Sequence, residues 1–176
     1  MILAQIAFVL SVAVGSYADM GYESPAISLS GGVEVNAART LWLVSASYFP
    51  TDKIVGDVEQ YGGDVTGLYR LPAGLLAGVG ASYRYLDFRD LNETADDLSP
   101  HVVVGWQSDG MRVLGTWHLP GSDDRYESRG ASVIVTRDLG KHLRVGAGGG
   151  VHETRPRAGD RYDRATVGDL VLGVRF

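Results

Sequence analysis

Leu75-Leu76-Ala77-Gly78-Val79-Gly80-Ala81-Ser82-Tyr83-Arg84-Tyr85 carries two unlike faces. Leu75, Ala77, Val79, Ala81, Tyr83 and Tyr85 fall on one, and Gly78, Gly80, Ser82 and Arg84 on the other. A period of two with one apolar side is the pattern of a strand between two different surroundings. The pattern continues toward the N-terminus. Val65, Tyr69 and Leu71 oppose Asp64, Thr66 and Arg70; Trp42, Val44, Ala46 and Tyr48 oppose Ser45 and Ser47; Ile27, Leu29, Val33 and Val35 oppose Ser28, Ser30, Gly32 and Glu34. Toward the C-terminus, Val102, Val104 and Trp106 oppose His101, Gly105 and Gln107, and Met111, Val113 and Trp117 oppose Arg112, Thr116 and His118. Ala131, Val133 and Val135 follow, then Leu143, Val145, Ala147 and Val151 against Arg144, Gly146, Gly148 and His152. Leu170, Leu172, Val174 and Phe176 close the chain against Asp169, Gly173 and Arg175.

Tight turns at 36–39, 72–73, 109–110 and 138–141 alternate with longer polar stretches, among them Asp87 to Ser99, Pro120 to Ser128 and Arg155 to Arg161. Asp109-Gly110 is the strongest hairpin signal, because a two-residue hairpin turn needs positive φ at both centres. The six prolines are read at strand ends or in loops, where a missing donor costs nothing. No stretch has helical periodicity, and the 176 residues form one domain.

The chain has no cysteine, so neither a disulfide framework nor a thiolate metal site is possible. A net charge of -5 gives no footprint for a nucleic acid. The 24 glycines recur inside alternating segments, where barrels use them for bends and close packing. Mean hydropathy is zero, as expected when lipid-facing and lumen-facing residues alternate and cancel.

Aromatic placement separates a membrane barrel from a soluble one. With the tight turns on the periplasmic side, Trp42, Tyr69, Trp106 and Phe176 fall near the periplasmic ends of their strands. Tyr48, Tyr83, Tyr85, Trp117 and Tyr162 fall near the outer ends, and small aliphatic residues fill the middle. Two aromatic girdles around an aliphatic band match a bilayer, since amphipathic rings settle at the headgroups. The fold expected is therefore all-β: a transmembrane antiparallel up-and-down barrel in a bacterial outer membrane.

Strand direction sets the count. With Phe176 at the periplasm, nine strands lie from residue 27 onward, and an even number requires a tenth. Residues 1–18 are the candidate, with Ile6, Phe8, Leu10, Val12 and Val14 facing lipid. The same run ends Ser16-Tyr17-Ala18, like a signal-peptide cleavage site, although no Lys or Arg precedes Arg39. The count is ten if this run is a strand. It is eight if the run is a signal peptide and one further segment is not a strand.

The inward faces carry charges of both signs: Glu34, Asp64, Arg70, Arg84, Arg112, Arg144, Asp169 and Arg175. Together with inward glycines they predict a mostly filled lumen, the arginines pairing with the carboxylates. A narrow pore for small solutes is the alternative. A third reading is a hydrolase using His118 or His152, but no spacing supports a nucleophile. His101 and His142 are expected in solvent. Asp87, Asp90, Glu93, Asp96 and Asp97 lack the spacing of a Ca²⁺ loop. No residue is assigned to catalysis, a metal or a cofactor. The expected partners are membrane lipid and lipopolysaccharide, and the expected state is a monomer.

Gly67-Leu68-Tyr69-Arg70-Leu71-Pro72, the glycine-rich run Leu75 to Leu86, Leu119-Pro120-Gly121-Ser122 and the closing strand on Phe176 resemble the YfaZ-type family of small outer-membrane proteins. That resemblance spans most of the chain. It implies a barrel of about ten strands with no established enzymatic role. The last strand also resembles the C-terminal signal read by the barrel-assembly machinery, with Phe176 terminal and Val174 before it. Val171 stands where that signal carries glycine.

Overall fold

In the computed structural model the chain is a closed antiparallel barrel of ten strands. The structure describes residues 5–19, 22–50, 58–88, 93–122, 126–156 and 163–175. The strands are β1 (Gln5–Asp19), β2 (Tyr22–Asn36), β3 (Thr40–Pro50), β4 (Val58–Arg70), β5 (Leu75–Phe88), β6 (Glu93–Ser108), β7 (Met111–His118), β8 (Tyr126–Leu139), β9 (Leu143–Pro156) and β10 (Asp163–Arg175). Each pairs with its sequence neighbour, and β1 pairs with β10 from Ala7↔Arg175 to Ala18↔Arg164 to close the ring. Closure removes the free edges that an open sheet would expose. Ten strands, not eight, are present.

Four short connections sit at one end of the barrel, which we call the turn end: β2–β3, β4–β5, β6–β7 and β8–β9. Asp109 and Gly110 both have positive φ, as the hairpin signal requires. Between β4 and β5, Ala73 sits at φ 59 and Gly74 at φ 77. A Cβ on Gly74 would collide with the Gln107 carbonyl, so that glycine is needed. Ala73 is exposed and carries a side chain on a left-handed backbone, a conformation that glycine adopts at lower cost. Ala73→Gly is expected to be neutral to stabilising, by up to about 1 kcal/mol in equilibrium unfolding.

The strands extend further toward the other, loop end than the alternation indicates. Most of the acidic stretch from Asp87 to Ser99 is strand, continuing β5 to Phe88 and opening β6 at Glu93. Residues 16–19 and 22–26, between the first two apolar runs, are likewise strand. Tyr126 to Ser128 and Arg155 to Pro156 belong to β8 and β9. Two prolines consequently lie inside strands, while Pro50 and Pro156 are the last residues of β3 and β9. Pro25 is in the part of β2 beyond its ladder with β3, which begins at Leu29↔Tyr48. Pro100 lies in β6, opposite Ala81 of β5. Its carbonyl accepts from Leu119 N–H just past the end of β7, so its missing donor falls where that ladder stops.

β7 has only eight residues, which leaves Glu93 to Pro100 of β6 without a strand on that side. The segment Leu119 to Ser122 covers this edge. Ser122 N–H donates to the Leu98 carbonyl (3.1 Å), and Leu98 N–H donates to Ser122 Oγ (3.1 Å). Gly121 lies against the Asp97 carboxylate, with no room for a Cβ.

The exterior is apolar and bare. Val79, Val104 and Leu170 are each 64–65% exposed, and Leu10, Val65 and Val133 about half. A contiguous apolar surface of this extent around the whole wall has no place in water. Trp42, Tyr69 and Trp106 are exposed on it at the turn end, and Tyr83 and Trp117 at the loop end. Tyr48 stacks on Tyr61 with ring centres 5.1 Å apart, which adds Tyr61 to the loop-end girdle. Tyr85 faces the same way, opposite Tyr61. The indole of Trp42 lies over Gly67, the glycine across the ladder. Tyr162 and Phe176 lie outside the described residues.

Candidate functional site

The inward side chains form two layers and a cavity. Nearest the turn end, the lumen is packed with apolar groups, contrary to the expectation of charges and glycines alone. Leu41, Leu68, Leu76, Val103 and Leu114 project inward from β3 to β7 and form one buried cluster, with Leu43 against it. Leu41 is completely buried. Inward leucines raise the hydropathy of a strand without breaking its alternation on the outer face, so they were hidden among lipid-facing residues.

Beside this cluster lies the charged layer. Glu34, Arg112 and Arg144 are all buried. Glu34 on β2 accepts from both guanidinium groups, Arg112 on β7 and Arg144 on β9 (Nη1 to Oε2, 2.5 Å). Arg144 also donates through Nε to Asp138 Oδ1 at 2.7 Å. Strands β2 and β7 are five places apart either way round the ring. The Glu34–Arg112 pair therefore spans the full diameter of the lumen. One carboxylate shared by two arginines, with a second carboxylate behind, balances two positive charges against two negative ones among buried side chains.

The remaining network differs from the expected pairing. Arg70 reaches the Asn36 side-chain oxygen, not a carboxylate. Arg84 pairs with Asp97 (2.7 Å), which also accepts from Ser99 Oγ (2.6 Å). Asp64 takes no arginine among the described residues; it accepts from Ser82 Oγ (2.7 Å) and Thr66 Oγ1 (2.9 Å). Asp169 has no ion pair with a described residue and faces the cavity. The Arg175 side chain lies outside the described ones, although its backbone pairs with Ala7. Asp90 lies outside the described residues, while Asp97 points into the barrel and Asp96 out of it.

His101 is not in solvent. It is 2% exposed, with Nε2 2.7 Å from Thr66 Oγ1 and 3.6 Å from Asp64 Oδ2. Gly80, opposite it in the ladder, leaves room for the ring. His118 stacks on His101 (5.1 Å between ring centres) and on His152 (5.3 Å). His142 is exposed in the β8–β9 turn. Above the charged layer two cavities of about 310 and 320 Å³ meet at Ser30, Ser45, Asp64, His118 and Asp169. The one nearer the loop end is rich in hydroxyls, from Ser47, Ser82 and Ser99, and reaches Arg84 and His152. Among the described residues no three His, Asp or Glu side chains gather as metal ligands. Ser82 Oγ lies 3.3 Å from His101 Nδ1 but gives its hydrogen bond to Asp64, so the arrangement holds a wall and not an activated nucleophile.

No family model matches the sequence, and no curated protein matches it. Solved structures with a similar chain path include Neisserial surface protein A, at 12% identity and TM-score 0.49 over 98% of this chain and 97% of that one. The COG4313 outer membrane channel from Pseudomonas putida F1 gives 10% identity and TM-score 0.49, covering 98% and 95%. Ail, the attachment invasion locus protein of Yersinia pestis, gives 13% identity and TM-score 0.40, covering 98% of each chain. At these identities the likeness is one of overall architecture and extends to no particular side chain.

Proposed function

We propose that this chain is a bacterial outer-membrane barrel of the YfaZ type with a structural or surface-interaction role, its lumen closed to solutes. One observation carries this reading: the buried Glu34–Arg112–Arg144 layer, anchored on opposite walls beside the leucine cluster. A pore would need a continuous water-filled path, and here the buried ion cluster crosses the lumen beside the leucine cluster of β3 to β7. The exposed apolar wall and its aromatic girdles support the membrane location. The segment Leu119-Pro120-Gly121-Ser122, on which the resemblance to the YfaZ type partly rests, covers the free edge of β6, which supports a structural purpose for those residues. The reading includes contact with lipid and lipopolysaccharide, a monomeric state, and recognition of the last strand by the assembly machinery. It is non-enzymatic, with His118 and His152 away from any activated hydroxyl.

Planar-bilayer recording tests the closed lumen. The refolded protein is expected to insert without open-channel steps. Reproducible single-channel current from the unmodified chain would replace this reading with that of a narrow pore.

A further inference from the structure

The ladder places His118 of β7 opposite Gly130 of β8, and Gly130 opposite His152 of β9. A strand therefore separates the two histidines, and the residue between them has no side chain. The His152 imidazole occupies the space that a Cβ on Gly130 would need. This is how rings from strands two places apart come to lie 5.3 Å from centre to centre, tilted at 51°. Neither ring makes a hydrogen bond with a described residue, and both line the outer cavity. His101, by contrast, is engaged by Thr66 and Ser82.

We propose that His118 and His152 form a two-imidazole site for a divalent transition-metal ion, entered from the loop end. Imidazole nitrogen is a preferred ligand of Cu²⁺, Ni²⁺ and Zn²⁺. Two imidazoles holding one tetrahedral ion through nitrogens about 2.0–2.1 Å away have ring centres roughly 5 Å apart. No third His, Asp or Glu among the described residues stands at ligand distance, so solvent completes the shell. The two arginines that line the cavity are both ion-paired, Arg84 with Asp97 and Arg129 with Glu153, while Asp64 and Asp169 put negative charge on the same cavity. The site lies on the loop-end side of the charged layer, so it does not require an open lumen.

The untagged, folded chain in detergent, titrated with CuCl₂ or NiCl₂ alone, tests this. One equivalent is expected to bind, and the Cu²⁺ complex should show electron-paramagnetic coupling to two ring nitrogens. His118→Ala and His152→Ala should each weaken binding roughly 10²-fold by removing the chelate. Gly130→Val should do likewise by displacing the His152 ring, whereas His142→Ala should change nothing. Absence of saturable binding would overturn the proposal. So would undiminished binding by the His118→Ala/His152→Ala double variant. If the variants fail to fold, fewer than two coupled nitrogens in the unmodified chain would overturn it equally.

Discussion

Glu34→Ala is expected to destabilise the folded barrel by about 3–5 kcal/mol, the cost of leaving buried charge uncompensated. It would strand Arg112 and Arg144 in the lumen, with Asp138 the one remaining acceptor for Arg144. Urea unfolding in phospholipid vesicles reads the loss directly. Replacing all three residues together, with Glu34→Met, Arg112→Leu and Arg144→Met, is expected to recover most of it, because apolar groups of similar volume fill a buried site about as well as a balanced ion cluster. Recovery would show that the layer serves to fill the lumen; no recovery would assign the carboxylate a role that packing cannot replace.

Val104→Arg is expected to destabilise by about 2–4 kcal/mol in a bilayer. Val104 is 64% exposed on the outer face of β6, between Val102 and Trp106. An arginine there would stand in the apolar band between the turn-end girdle residue Trp106 and the level of Trp117, which pairs with Val102, so the low end of that range is expected. Asp96→Arg, on the same face but level with the loop-end girdle at Tyr85, should change stability by no more than about 1 kcal/mol. On a soluble barrel both positions would be ordinary surface sites, and both changes would stay within about 0.5 kcal/mol. The contrast between the two positions is therefore the informative quantity.

The apolar outer face made the barrel legible in the sequence. Lipid demands a nonpolar side chain at every second position, and the girdles mark where the demand stops. Above the girdle the demand lapses. Strand β6 begins at Glu93, but Thr94 and Asp96 outside and Asp97 and Ser99 inside both meet water or polar partners, so no period remains to be seen. The inward leucines were hidden for a different reason. Leu68 and Leu76 read as extra hydrophobicity beside Tyr69 and Leu75, and only the closed ring brings them together with Leu41, Val103 and Leu114. The Glu34–Arg112 pair bridges residues on opposite walls, and the His118–Gly130–His152 rung depends on the register of two ladders. Inward charge was legible residue by residue; which charge meets which was not.

The chain has no cysteine, so single-cysteine variants along β6 can carry a fluorophore without background. Quenching of that fluorophore by brominated lipid is the most direct test that the exposed apolar face lies in a bilayer. Probes at positions 102, 104 and 106 should be strongly quenched, and one at 99, which faces the loop-end cavity, should not. Equal quenching along the strand, or none at Val104 in a folded protein, would contradict a barrel that faces lipid outside and a packed lumen within.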